Sequence, residues 1–251
     1  MKAERSIQYS VLRDDEHLID LCIPDGECKA ILVYLHGGGF VEGSRELDAL
    51  PHFAEDMTEA GIAVASVEYR MYPRAKYPDF IEDAAEAVAY AKDTLLPRLG
   101  CDRLFVAGTS AGGYLSQMLC FDEVWLGRRG VARDDIAGYI HDAGQPTAHF
   151  NVLKERGIDP RRIIVDGTAP LYHVKRGDYP PMQIIVSDRD IPGRYEQTEL
   201  LVGALRAFGY DEERLTYTKT SGSHVWYVTK TDENGKNEFA SLIIPFIQKH
   251  I

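Results

Sequence analysis

Short apolar runs alternate with stretches of helical periodicity along most of the chain. Ala30–Leu35 (AILVYL) is apolar without interruption, the pattern of a strand buried on both faces. Ala63–Val67, Leu104–Ala107, Ala137–His141, Met182–Val186 and Leu215–Thr220 read as further strands. Ser6–Leu12 and Leu18–Ile23 read as two early ones, joined by the polar turn Arg13-Asp14-Asp15-Glu16. Between them, Asp79–Thr94, Ala111–Leu119, Gly193–Phe208 and Asn237–Lys249 space their apolar residues as helices do. Gly209 suits the position just past a helix end. Pro245 should kink the last helix or limit its regular part. Strand–helix alternation at these lengths predicts an α/β architecture: a mostly parallel eight-stranded sheet with helices on both faces. The first two strands, separated by a short turn, should form an antiparallel edge.

One stretch breaks the alternation. Asp142–Tyr179 is irregular and carries Gly144, Pro146, Gly157, Pro160, Gly167, Pro170 and Gly177. A long excursion inside a compact domain is usually functional or mobile. It reads as a lid or pocket wall at about 142–179 within a single domain spanning 1–251. There is no repeat and no linker-like composition to divide the chain.

Composition narrows the function classes. The 251 residues carry a formal charge of −11 and no basic run, so a phosphate backbone would be repelled and nucleic acid is not an expected partner. No stretch approaches eighteen uninterrupted apolar residues, and Met1–Tyr9 has no apolar signal region, which points to the cytoplasm and to no membrane partner. The four cysteines, Cys22, Cys28, Cys101 and Cys120, form no CxxC pair and read as free thiols.

The chemistry is concentrated in two glycine-rich motifs. Gly108-Thr109-Ser110-Ala111-Gly112, followed by Gly113, matches G-x-S-x-G and sits between a strand and a helix. That setting forms a nucleophile elbow, a sharp turn that lifts the serine clear of the sheet. His36-Gly37-Gly38-Gly39-Phe40 follows the strand Ala30–Leu35 directly. Acyl transfer builds negative charge on the former carbonyl oxygen, and fixed backbone N–H groups stabilise it. Gly38, Gly39 and Ala111 are the expected donors. The loop is not GxGxxG and no GK[ST] follows, so a nucleotide is not expected. No HExxH or Cys/His cluster suggests a metal, and no cofactor is expected.

HGGGF, Glu68-Tyr69-Arg70, Tyr77-Pro78-Asp79 with Glu82-Asp83, and GTSAGG, in that order, resemble the hormone-sensitive-lipase-like branch of the α/β-hydrolases, related to small acetyl and feruloyl esterases and to arylformamidases. The resemblance runs from about residue 30 to the C-terminus. It implies the α/β-hydrolase fold, an oxyanion hole at the glycine loop and attack by Ser110. Larger members carry a substantial N-terminal helical cap. Here only about 30 residues precede the HGGG strand, so no large cap is expected, and a long-chain lipase is disfavoured.

A triad of this fold runs serine, acid, histidine in chain order. Of the histidines past Ser110, His224 in Ser221-Gly222-Ser223-His224 lies after a strand and before the last helix, where the family places its base. His141, His149 and His173 read as packing, surface or pocket-lining residues. Asp188 and Asp190 both follow the strand Met182–Val186. The related families show a small residue, two variable ones, the aspartate and an apolar–Pro pair, which aligns Asp190 as the acid and leaves Asp188 as the fallback. His36, Tyr69, Arg70 and Asp83 read as scaffold. Phe40, Tyr114, Gln145, His149 and Trp226 are pocket candidates. The leading function is a serine carboxylesterase acting on short-chain or aromatic acyl esters of small molecules, carbohydrate-linked ones included. An arylformamidase or small peptidase with the same triad is the alternative, and a non-catalytic binding module is a remote one. A homodimer through a sheet edge or helix is compatible with the pattern.

Overall fold

A computed structural model describes residues 1–12 and 14–251. Arg13, part of the expected connecting turn, lies outside them. Among the described residues eight strands form one sheet: β1 (Lys2–Gln8), β2 (Leu18–Ile23), β3 (Ala30–Leu35), β4 (Ile62–Val67), β5 (Leu104–Thr109), β6 (Gly138–Asp142), β7 (Met182–Arg189) and β8 (Leu215–Ser223). Their spatial order is β1-β2-β4-β3-β5-β6-β7-β8. β1 pairs antiparallel with β2, and β2 antiparallel with β4. The other pairings, from β4–β3 through β7–β8, are parallel.

Period-two alternation explains why the central strands are apolar throughout. Ile31, Val33 and Leu35 of β3 enter one hydrophobic core, and Ala30, Leu32 and Tyr34 enter the other. Successive side chains point to opposite faces of a strand, and both faces here are covered. On the first face lie α1 (Asp79–Tyr90) and α2 (Ala111–Phe121). The second is covered by the helix Phe53–Glu59 and by the C-terminal helix Glu238–Lys249.

Three elements differ from the pattern reading. β1 is Lys2–Gln8 rather than Ser6–Leu12, because its register against β2 runs from Lys2 opposite Ile23 to Gln8 opposite Leu18. Val11 and Leu12, apolar in sequence, are left exposed beyond its end. The helix expected over Asp79–Thr94 passes into a π turn at Ala91–Leu95 and one further α turn at Leu96–Leu99. Pro245 does not end the last helix, which runs to Lys249 and is capped at its start by Asn237 Oδ1, accepting from Ala240 N at 2.9 Å. Among the described residues no helix is long and apolar enough to cross a membrane.

Candidate active site

The parallel strands deliver their C-terminal ends to one edge, where the loops after β3, β5, β7 and β8 meet. The turn at the end of β5 is forced by close backbone approach. Ser110 has φ 56° and ψ −108°, strained for a side chain of any size. A Cβ on Gly112 would lie 1.9 Å from Leu35 O, so nothing larger than glycine lets α2 start directly against β3. Ser110 N donates to Asp142 O at 2.8 Å, tying the turn to the end of β6.

The loop after β3 is set by a second close approach. Gly38 has φ +109°, and a Cβ there would meet Glu42 O at 1.8 Å. His36 braces this loop. Its ring stacks on Tyr69 with centroids 4.3 Å apart, its Nδ1 lies 2.7 Å from Gly37 O, and its Nε2 lies 3.3 Å from Glu68 Oε1. Tyr69 OH donates to His36 O at 2.7 Å. Arg70 and Asp83 form a paired anchor further out, with Nε–Oδ2 at 2.9 Å and Nη2–Oδ1 at 2.6 Å. Among the described residues, the amides of Gly38, Gly39 and Ala111 donate to no backbone acceptor in the turns, loops and caps.

The loops after β7 and β8 carry the remaining groups. His224 Nε2 lies 2.8 Å from Ser110 Oγ, and His224 Nδ1 lies 2.6 Å from Asp190 Oδ1. The Asp190 side chain is fully buried, and its Oδ1 also accepts from Ile191 N at 2.7 Å. Asp188, half exposed, accepts instead from Gly222 N at 2.8 Å and Ser221 Oγ at 3.0 Å. Those hydrogen bonds, that of Gly222 N foremost, hold its carboxyl below the usual range. Asp188 therefore fastens the loop that carries His224, and Asp190 faces the imidazole.

Solved structures share this fold. A truncated carbohydrate esterase from gut microbiota superimposes with a TM-score of 0.81 over 100% of this chain and 96% of that one, at 18% identity. An esterase of Pyrobaculum calidifontis does so at 0.74 over 99% and 85%, at 23% identity. A family model described as "alpha/beta hydrolase fold" matches residues 32–141. The chain has the α/β-hydrolase fold. Esterase LipC of Mycobacterium tuberculosis is 28% identical to it over 197 residues, 70% of this chain and 48% of that protein. Ethyl acetate hydrolase of Pseudomonas putida is 39% identical over 93 residues, 36% and 28% of the two chains. In these pairings the chain spans half or less of the relative's length.

The pocket candidates scatter. Phe40 and Tyr114 are fully buried: Phe40 stacks on Phe80 at 4.2 Å, and Tyr114 OH donates to Thr168 O at 2.6 Å. Both belong to the packed interior: Tyr114 sits on α2 against the sheet, and Phe40 turns inward from the glycine loop into the same core. His149, also buried, caps the helix Phe150–Glu155 by accepting from Asn151 N at Nδ1 (3.2 Å), and burial holds its pKa well below the usual value. Trp226 is half-buried and packs on Gly222, where a Cβ would meet its ring at 2.3 Å. Gln145 does line a cavity, of about 610 Å³, together with Phe150, Ile191 and Arg194.

Two features had no motif to announce them. Asp142, one residue past the expected end of β6, is fully buried behind Ser110. It accepts from Thr109 Oγ1 at 2.8 Å and from Tyr227 OH, and Tyr34 OH donates to Thr109 Oγ1 at 3.1 Å. Burial raises its pKa to about 7. An acidic residue ending an apolar strand was the available signal. The other is Asn151, whose Nδ2 donates to Gly39 O at 2.6 Å and joins the 142–179 excursion to the glycine loop.

Proposed function

We propose that the chain hydrolyses carboxylic esters with Ser110 as nucleophile. The observation that carries the reading is the unbroken relay from Asp190 through His224 to Ser110, at 2.6 and 2.8 Å. His224 Nε2 takes the Ser110 proton as Oγ attacks the ester carbonyl. Asp190 accepts from Nδ1–H, fixes the ring and stabilises its cationic form. The amides of Gly38, Gly39 and Ala111 hold the oxyanion, a contribution of several kcal/mol in such sites. His224 returns its proton to the leaving alcohol. It then activates a water, which cleaves the acyl-enzyme. The relatives named as esterases support the same class. The substrates are short-chain or aromatic acyl esters, carbohydrate-linked ones among them, and the 142–179 excursion supplies the pocket wall.

The test is hydrolysis of p-nitrophenyl esters from acetate to decanoate, beside N-formylkynurenine and a feruloyl ester. Wild type should favour acetate or butyrate, and Ser110→Ala should lose at least ~10³-fold in kcat/KM. A preference for the formamide would move the assignment to an amidase. Equal inertness of both proteins, with no labelling of Ser110 by a fluorophosphonate, would remove the enzyme reading.

A further inference from the structure

The cavity beside Gln145 has an unusual charge. Its apolar wall comes from Phe150, Pro160, Ile163, Ile191 and Pro192. Its ionic groups are Arg161, Arg162 and Arg194, and among the described residues no carboxylate lines it, in a chain whose net charge is −11. Arg194 is the innermost, 3% exposed. Its guanidinium donates to Ala143 O and, at 3.3 Å, to Gln145 Oε1, both neutral acceptors. Asp190 acts on it through space, without a hydrogen bond, and burial lowers its pKa to about 10, so it stays cationic at neutral pH. Arg161 is already engaged in a two-point pair with Asp159, at 2.9 and 2.6 Å. A buried guanidinium with no carboxylate bonded to it is costly to maintain, and its planar fork matches a carboxylate.

This cavity adjoins the reacting groups on two sides. Ile191 follows Asp190 in the chain, and Phe150 Cζ lies 3.3 Å from where a Cβ on Gly39 would be.

Resting on the ester-hydrolase reading above, we propose that the cavity takes a carboxylate-bearing end of the substrate. The preferred esters are then amphiphilic anions: an apolar spacer against Phe150 and Ile191, and a carboxylate toward Arg194 and Arg162. Two matched pairs test this. On the acyl side, p-nitrophenyl hemiglutarate is compared with the neutral 5-methylhexanoate. On the alcohol side, 3-acetoxybenzoate is compared with 3-tolyl acetate. One pair should favour the anion by at least ~10-fold in kcat/KM, and the ratio should fall toward one in Arg194→Met and Arg162→Gln and at raised salt. Ratios near one in both pairs would overturn the proposal while Ser110-dependent hydrolysis of the neutral esters leaves the esterase reading standing. If no ester is cleaved, that reading fails, and the cavity is judged by glutarate binding to Ser110→Ala. Binding that Arg194→Met abolishes supports the cavity's role, and absence of binding overturns it.

Cys28 and Cys101 carry a second, independent inference. They precede the neighbouring parallel strands β3 and β5, and their Sγ atoms lie 3.2 Å apart in half-buried positions. Cys101 also draws the Cys28 pKa down to about 7, within the range of reactive thiols. We infer that hydrogen peroxide oxidises this pair to a disulfide. The Cys28 thiolate attacks the peroxide, giving a sulfenic acid and hydroxide. Cys101 then displaces water from that sulfur, so two thiols and one peroxide yield one disulfide and two waters. Peroxide treatment should reduce the titratable thiols from four to two, and non-reducing peptide mapping should link Cys28 to Cys101. Loss of the link in Cys28→Ser is the control. Four thiols persisting, or sulfinic acid without the crosslink, would overturn it.

Discussion

The C-terminal edge of the sheet and the 142–179 excursion above it are built by different means. The edge is held by backbone against backbone. Gly112 abuts Leu35 O, Gly38 abuts Glu42 O, and Ser110 sits in a conformation that only this surrounding structure sustains. Part of the excursion rests on a small core of its own, Ala148, Leu153 and Ala169, apart from the two large ones. It is joined to the edge by polar tethers such as Asn151 to Gly39 O at 2.6 Å and Tyr72 OH to Glu155 Oε2 at 2.5 Å. Backbone packing makes the edge a rigid platform; the excursion, although Val152, Val174 and Tyr179 reach the large core, is a wall fastened by side chains. Catalytic geometry belongs on the first, and substrate selection can vary on the second.

The largest effect should come from breaking the platform. Gly112→Ala places a methyl group 1.9 Å from Leu35 O, and the elbow cannot form without displacing β3 or α2. A loss of at least ~10³-fold in kcat/KM is expected, with a lower Tm. The matching change in the wall, Gly167→Ala, meets nothing within 4 Å and should alter neither value measurably. Equal damage from both substitutions would erase the distinction between the two regions.

Within the platform, Asp190→Asn should cost ~10³- to 10⁴-fold in kcat, because the amide favours the wrong tautomer of His224. Asp188→Asn should cost less than ~10-fold, since it weakens a loop fastening rather than the relay. Reversed magnitudes would exchange the two carboxylates' roles.

This division also explains what could be read from the chain. Close backbone approach demands glycine, and glycine is visible in a sequence, so HGGG and GTSAGG mark both turns. Buried strands are apolar on both faces, so the eight strands were legible to within a few residues. The exception was β1, where the exposed Val11 and Leu12 imitated strand residues. The wall was not legible, because its contacts join residues far apart in sequence through ordinary side chains: Asn151 reaches Gly39, and Arg194 reaches Gln145. Phe40 and Tyr114 misled for a related reason. An aromatic residue next to a motif can face the pocket or the core, and adjacency does not say which.

A smaller effect concerns two neighbours on β6 whose ionisation opposes. Burial lowers the His141 pKa to about 3, and raises that of Asp142 to about 7. His141 contributes stability that is present above pH ~6.5 and is lost as pH falls toward 3. Asp142 contributes stability that is present below pH ~4 and is lost as pH rises toward 7. Between pH ~4 and 6.5 the two slopes, at most ~1.4 kcal/mol per pH unit each, largely cancel. In urea titrations, Asp142→Asn should make stability rise with pH across this window relative to wild type, and His141→Gln should make it fall. Changes of the same sign in both variants would show that one of the pair is not buried as described.

The smallest effect probes the seam between platform and wall. Asn151→Ala removes one neutral hydrogen bond to Gly39 O, worth ~1 kcal/mol, so Tm should fall by ~2–4 °C. Gly39 O belongs to the peptide that follows the Gly39 amide, one of the proposed oxyanion donors, and Phe150 packs against the same residue. A slackened wall should therefore let that amide wander and lower kcat by ~3- to 10-fold, with little change in KM for a small acetate ester that does not reach the wall. A loss comparable to Gly112→Ala would make Asn151 part of the platform. An unchanged kcat with a lower Tm would mean the edge holds its donors without help from above.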